Sequence, residues 1–225
     1  VRSFDDIRAL NQIPLGILPV TPDIYSALRP DAQSSFREAI KRIYMSGIMD
    51  HKARTLLVTS GMPKEGRSTI ALSLGQYLSS LNHKVIVVDA DFLHPNLTRG
   101  AGQRKAIGLT DMLLGRATME DAITKEAGID FLSAGSQLPA SPDMLNALKV
   151  QQVLSQLRNK YEYVIIDSGP LMAHSEASAI ARQADAVLVV AEWLKTPQKS
   201  LASLFATLKD MQVDVLGVII NKVDI

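Results

Sequence analysis

The chain has 225 residues, a formal net charge of +1 and no cysteine. That length suits one large α/β domain with a sizeable core. The near-neutral charge excludes a broad basic field for nucleic acid, and the absence of Cys excludes a disulfide framework and a thiolate zinc site.

Hydrophobic residues make up 47% and charged residues 21%, an ordinary globular balance. No apolar run approaches the roughly 18 residues of a membrane span, and the start lacks the layout of a secretory signal. Opening on Val1 rather than Met reads as a piece of a longer chain.

Residues 1–30 carry four of the ten prolines and read as a lead-in segment ahead of a main domain at 31–225. Asp5–Leu10 suits a short helix, and Pro14–Val20 an extended apolar stretch, because Pro restricts itself and its predecessor. Phe36, Ile40 and Ile43 fall at helical spacing, with Asp31 or Ser34 as candidate caps. Leu56–Thr59 reads as a buried strand. The helix after it carries Ile70, Leu74, Tyr77, Leu78 and Leu81 on one face.

Lys84–Asp89 is a second buried strand ending in a carboxylate. Short helices are expected around 109–114 and 118–126, then a strand at Ile129–Ser133. A helix over 141–159 would place Val150, Val153, Leu154 and Leu157 together. Tyr163–Asp167 is a further buried strand ending in a carboxylate, followed by a helix at 175–183 and strand Ala186–Val190. A helix opened by Thr196-Pro197 carries Leu201, Leu204, Phe205, Leu208 and Met211, and Val215–Ile220 closes the chain as a strand. Continuous Val/Ile/Leu runs alternating with amphipathic helices give an α/β fold in three layers, a mostly parallel sheet with helices on both faces. Ligands then bind outside the carboxyl ends of the strands, where Asp89 and Asp167 fall.

One stretch between the first such strand and its helix bears chemistry. Gly61-Met62-Pro63-Lys64-Glu65-Gly66-Arg67-Ser68-Thr69 follows the phosphate-loop pattern with Arg67 where that pattern has Lys. Glycines let backbone N–H groups turn inward around phosphate oxygens, and the next helix offers its N-terminal amides to the same anion. The sheet is therefore expected to be of the P-loop NTPase type. Ser68 can ligate Mg²⁺ and Asp167 suits the strand-end carboxylate that shares the ion. Asp89-Ala90-Asp91 adds a carboxylate pair that can share Mg²⁺ or orient a nucleophile.

Arg67 keeps the charge but is longer, planar and forked. It can clamp phosphate, yet suits a transferring group less well than the compact Lys ammonium. Asn221-Lys222-Val223-Asp224 spells a guanine-reading motif, but Asp167-Ser168-Gly169-Pro170 lacks the Asp-x-x-Gly that accompanies it, so adenine is expected, with Asn221 a candidate contact to the base edge. His51, His83, His94 and His174 show no metal-ligand spacing, and Ser60, Ser136 and Ser175 have no Ser-His-Asp pattern around them.

Taken together, the loop, Val87-Val88-Asp89-Ala90-Asp91 followed by Pro95, and Tyr161–Ser168 resemble the cytoplasmic domain of bacterial tyrosine kinases. So do Gly108–Leu113, Pro142–Leu145, Val215–Asn221 and the lead-in Pro14–Pro19. Those domains belong to polysaccharide co-polymerases that set chain length in capsule and exopolysaccharide export. The resemblance implies ATP (or ADP) and Mg²⁺ as cofactors, with Gly61 to Thr69 on the phosphates. It implies Ser68, Asp89 and Asp167 around the metal, and Asp89 or Asp91 orienting or deprotonating a tyrosine hydroxyl. It also implies a location at the cytoplasmic face of the bacterial inner membrane. The expected partners are its own upstream membrane-spanning chain or a membrane co-polymerase, the export machinery and further copies of itself, with no nucleic acid.

The chain departs from the family's pattern in several places. Arg67 replaces Lys, Lys64 replaces Gly, and no tyrosine cluster follows Asn221. The oligomerising Glu-x-x-Arg-x-x-Arg is reduced to Ser34-x-x-Arg37-x-x-Ile40. A weakened kinase, an inactive pseudokinase scaffold and a partition or division-site-type ATPase all remain open. The last of these carries a Lys at the position of Met62.

Overall fold

The computed structural model describes residues 1–21, 34–100, 107–126, 128–136, 147–172 and 175–224. Pro142–Leu145, Asp31, His174 and the first part of the helix expected over 141–159 lie outside them. The described strands are β1 (Pro14–Pro19), β2 (Thr55–Ser60), β3 (Val85–Ala90), β4 (Ile123–Glu126), β5 (Ile129–Leu132), β6 (Tyr163–Ser168), β7 (Ala186–Glu192) and β8 (Val215–Val223). They form one sheet in the order β1-β8-β7-β2-β6-β3-β5-β4, parallel except for the β4–β5 pair.

The helices are α1 (Phe4–Arg8), α2 (Ser35–Ile43), α3 (Arg67–Ser80), α4 (Asn96–Gly100) and α5 (Leu109–Leu113). They continue with α6 (Met119–Ala122), α7 (Ala147–Lys160), α8 (Ser175–Ala181) and α9 (Gln198–Asp210). Two apolar layers sandwich the sheet. Leu57, Ile86, Val88, Val164, Ile166, Val187 and Val189 face the layer that holds α5, α7, α8 and α9. Their strand neighbours Leu56, Val58, Val87, Ile165 and Leu188 face α2 and α3 on the other side. Alternate residues thus serve opposite faces, which is why the central strands read as unbroken apolar runs. This is the expected three-layer α/β fold.

The differences from expectation are local. The stretch 118–126 is one helical turn and then a strand. Thr118 and Asp121 cap each other, and Ile123-Thr124 pair with Leu132 and Phe131 on β5 instead of continuing the helix. β-branched residues favour that outcome. Helix α3 is buried on nearly every side, so its sequence shows little of an apolar stripe, and Leu81 lies past its end and exposed. Helix α2 opens on Ser34, whose Oγ accepts from the Arg37 amide at 3.4 Å, and runs into a π-helical turn at Tyr44–Ile48. Helix α4 was not foreseen. Strand β8 continues through Asn221, Lys222 and Val223.

Strand β1 joins the sheet edge through a close backbone approach. The Val218 amide donates to the Ile13 carbonyl at 2.8 Å. The adjoining Gly217 has φ +148°, and a Cβ there would stand 2.4 Å from the same oxygen. Gly217→Ala is expected to destabilise the fold by about 2 kcal/mol, because the obstacle is backbone and cannot rotate away. A lower denaturation midpoint with an unchanged slope would report it.

Candidate functional site

Strand β2 sits in the middle of the sheet between β6 and β7, and its chain leaves the carboxyl edge at Ser60. The turn that follows reaches helix α3 through Gly66 at φ +97°, a left-handed residue at the N-cap. A Cβ on Gly66 would also stand 2.1 Å from the Asn221 Nδ2. Lys64 is left-handed as well, at φ +65°. This strained path is braced from beneath. The Met62 amide donates to Glu65 Oε2 at 2.9 Å, and Thr196 Oγ1 donates to Glu65 Oε1. Asn221 Nδ2 donates to the Glu65 carbonyl at 2.9 Å, and Lys222 Nζ to the Lys64 carbonyl at 2.6 Å. Lys222 is itself held by Glu192 at 2.8 Å.

Around the turn the structure gathers Arg67, Ser68, Asp89, Asp91 and Asp167. Ser68, at the start of α3, donates its hydroxyl to Asp167 Oδ2 at 2.5 Å. Asp89 and Asp167 are neighbours in the β3–β6 register. Asp89 Oδ2 accepts from the amide and hydroxyl of Thr98, both at 2.8 Å, and Oδ1 from the Asp91 amide at 3.2 Å. Asp91 Oδ1 accepts from the His94 amide at 2.9 Å.

The guanidinium of Arg67, only 6% exposed, turns inward. Its Nη1 donates to Ser60 Oγ at 2.6 Å and to the Met62 carbonyl at 3.2 Å, and its Nη2 to Asp91 Oδ2 at 3.3 Å. Its Nε lies 4.0 Å from Asp167 Oδ1, an ion pair without a hydrogen bond. Both of those atoms are buried and without a hydrogen-bond partner.

Burial pushes the Asp89 carboxyl up to about 6, against the opposing hydrogen bonds from Thr98. Burial and then the charge of Asp89 push Asp167 well above the usual carboxylate range, with Ser68 and Arg67 opposing.

These residues fit a magnesium-bound nucleotide. The loop before α3 has the left-handed glycine that phosphate cradles use. The Ser68 hydroxyl and an unpartnered Asp167 oxygen supply the donor set for a hard cation. The unpartnered Arg67 Nε is a donor that an anion would satisfy.

Met62, Pro63 and Lys64 are exposed at the loop, with Gly61, Gly66, Ser68 and Thr69 half-buried. Glu65 is buried, its carboxylate engaged by the loop's own Met62 amide and by Thr196. Asn221 is 3% exposed beneath the turn. Three residues of this network were not anticipated: Thr98, Thr196 and Glu192. Thr196 and Glu192 contribute through contacts distant in sequence, and Thr98 through a loop-spanning contact to Asp89, so no motif spacing marks them.

The AAA-domain family profile matches residues 64–220, most of the chain and all of this site except Ser60–Pro63, Asn221 and Lys222. The chain belongs to the AAA-domain family. Among its relatives, the succinoglycan biosynthesis transport protein ExoP of Rhizobium meliloti (strain 1021) is 30% identical over 178 residues, covering 77% of this chain and 23% of that protein. The tyrosine-protein kinase YwqD of Bacillus subtilis (strain 168) is 27% identical over 175 residues, covering 77% of this chain and 74% of that one. The BceF tyrosine kinase domain superposes with a TM-score of 0.82 at 26% identity, over 96% of this chain and 95% of that domain. The resemblance to bacterial tyrosine-kinase domains is thus borne out. The chain spans about a quarter of the length of ExoP. No helix among the described residues is long and apolar enough to cross a membrane.

Two outcomes follow for the braced loop. Gly66→Ala is expected to cost about 2 kcal/mol or more of stability and to abolish phosphate binding, since both the φ and the Asn221 contact oppose a methyl group; thermal melts with and without ADP would read both effects. Burial pushes the Glu192 carboxyl up, but hydrogen bonds from Lys195 and Lys222 outweigh it and leave the group below its ordinary value. Its contribution is therefore full at neutral pH and is lost as pH falls through that depressed value. Glu192→Gln should cost about 1 kcal/mol at neutral pH, the partners being partly solvated. Denaturation at a series of pH values should show the gap to wild type closing in acid.

Proposed function

We propose that this chain is an ATP-binding domain of the bacterial tyrosine-kinase type, acting in exopolysaccharide or capsule polymerisation and export with phosphoryl transfer weakened by Arg67. The observation that carries the reading is the Ser68–Asp167 hydrogen bond at the foot of a left-handed glycine turn, beside a second strand-end carboxylate pair. Support also comes from the names of ExoP, a succinoglycan biosynthesis transport protein, and YwqD, a tyrosine-protein kinase. On this reading the domain sits at the cytoplasmic face of the bacterial inner membrane. It works with an upstream membrane-spanning chain or membrane co-polymerase, with the export machinery, and as a homo-oligomer.

The turn from Gly61 to Thr69 would hold the phosphates of ATP or ADP, and Ser68 and Asp167 are the residues that would hold Mg²⁺ for phosphoryl transfer, in competition with the Arg67 guanidinium 4.0 Å from Asp167. That ion supplies charge neutralisation on the transferring phosphoryl group. Asp89, held by Thr98 and the Asp91 amide, positions the edge of the site. Asp91 is the carboxylate that Arg67 engages. A guanidinium committed to Asp91, Ser60 and the Met62 carbonyl is poorly placed to follow the transferred group. It also occupies a carboxylate that would orient or deprotonate a tyrosine hydroxyl. The same contacts favour a second reading, a pseudokinase scaffold that binds nucleotide without turnover.

Isothermal calorimetry with ATP–Mg²⁺ and ADP–Mg²⁺ should give binding, and a chain that binds neither overturns the proposal. With a tyrosine-containing acceptor, phosphotyrosine detection is expected to show weak transfer by wild type and at least about a tenfold gain in Arg67→Lys, a barrier change of about 1.4 kcal/mol. Binding with no transfer in either protein would establish the scaffold reading.

A further inference from the structure

We propose that Arg67 is a resident cation of the nucleotide site, filling the charge role of the divalent metal, so that the wild-type chain binds nucleotide with little dependence on Mg²⁺. The inference rests on the nucleotide-binding reading above and goes beyond it by assigning what neutralises the site.

Asp89, Asp91 and Asp167 come together at the ends of β3 and β6, each 4% exposed or less. A nucleotide polyphosphate brings several more negative charges to the same place. In such a crowd a cation is needed twice, once to hold the carboxylates together and once to admit the phosphates. Arg67 already stands among them, with Nη2 on Asp91 and Nε 4.0 Å from Asp167 Oδ1.

It arrives from a fixed direction. The residue is at the first position of α3, and Nη1 is anchored by Ser60 Oγ and the Met62 carbonyl. The guanidinium is therefore wedged between the phosphate turn and the carboxylates. A shorter Lys ammonium, a point charge, would not span both.

Two unpartnered atoms point to the ligand chemistry. Arg67 Nε is a buried donor with no acceptor. A phosphate oxygen at the turn is the acceptor that would satisfy it, and a planar fork can keep Asp91 on one nitrogen while meeting phosphate with another. Asp167 Oδ1 is a buried acceptor paired with the guanidinium only by charge. A divalent ion reaching Asp167 must share that carboxylate with a fixed positive charge 4.0 Å away, which weakens the ion's hold. Guanidinium and metal are alternatives at one carboxylate group. Metal independence would also fit weak transfer, since a guanidinium cannot track the moving phosphoryl group as a metal can.

The test has two arms. In the first, titration of ADP and ATP into wild type and Arg67→Lys is compared in Mg²⁺ and in excess EDTA. The wild-type dissociation constant should change by less than about threefold, while that of Arg67→Lys should weaken at least about tenfold in EDTA. Equal Mg²⁺ dependence in the two proteins overturns the proposal.

The second arm uses Mg²⁺ alone and does not depend on nucleotide. Thermal melts of Arg67→Met should rise with millimolar Mg²⁺, because the carboxylates lose the cation that pairs with Asp91 and Asp167, while wild type should not respond. If Arg67→Met does not fold, Arg67→Lys takes its place with a smaller rise. A wild-type melt that rises as much as the variant's overturns the proposal. A chain that binds no nucleotide but passes the second arm would sink the nucleotide reading while leaving Arg67 as the resident cation of the carboxylates.

Discussion

A guanidinium enclosed with three carboxylates is the constraint on which the edge of this sheet depends. Removing an ion from water costs several kcal/mol even after relaxation, and Asp89, Asp91, Asp167 and Arg67 are all nearly inaccessible. Such a cluster persists only where the backbone holds it in place. Asp89 and Asp167 are delivered side by side by the β3–β6 register, and Asp91 follows two residues later. Thr98 takes up one oxygen of Asp89 with two hydrogen bonds, which leaves fewer negative lone pairs for Arg67 to answer. The raised pKa of Asp89 and of Asp167 has the same origin: burial favours the protonated form, and one cation does not offset three anions.

The turn above this cluster depends on it in turn. Positive φ at Lys64 and Gly66 is strained or glycine-only backbone. What holds it is a set of three side-chain contacts from two other parts of the chain. Thr196, between β7 and α9, reaches Glu65; Asn221 and Lys222, at the end of β8, reach the carbonyls of Glu65 and Lys64. Arg67 adds a fourth hold on the Met62 carbonyl from inside. The carbonyls of Met62, Lys64 and Glu65 are therefore each taken up by a side chain of this chain.

Most of the fold was legible because burial on both faces makes strands into plain apolar runs. Leu56–Thr59, Lys84–Asp89, Tyr163–Asp167 and Ala186–Val190 needed no partner to be recognised. Helices packed on one side, such as α7 with Val150, Val153, Leu154 and Leu157, were legible for the matching reason. Legibility failed where a choice depended on something elsewhere in the chain. Ile123–Glu126 is a strand because β5 is there to pair with it, and Leu81, at helical spacing with Ile70, Leu74 and Leu78, lies past the end of α3 and exposed. In the site, Arg67, Ser68, Asp89, Asp91 and Asp167 could be found from spacing, since each ends a strand or starts a helix. Thr98, Thr196 and Glu192 could not, because nothing near them in sequence announces partners 9, 131 and 30 residues away.

Asn221 and Lys222 show why a short motif and its chemistry can separate. In sequence they spell half of a base-reading signature. In the fold Asn221 is buried under the phosphate turn, with its amide nitrogen committed to the Glu65 carbonyl, and Lys222 bridges Glu192 and the Lys64 carbonyl. Both side chains bind this chain's own backbone. Their location at the end of β8, beside the loop, follows from the parallel sheet. Here β8 runs on through Val223, which keeps Asn221 level with Glu192 on β7 and brings its amide beneath the turn rather than out over it. The extra strand residues thus tie the shape of the Gly61–Thr69 turn to the far edge of the sheet, where β1 joins β8.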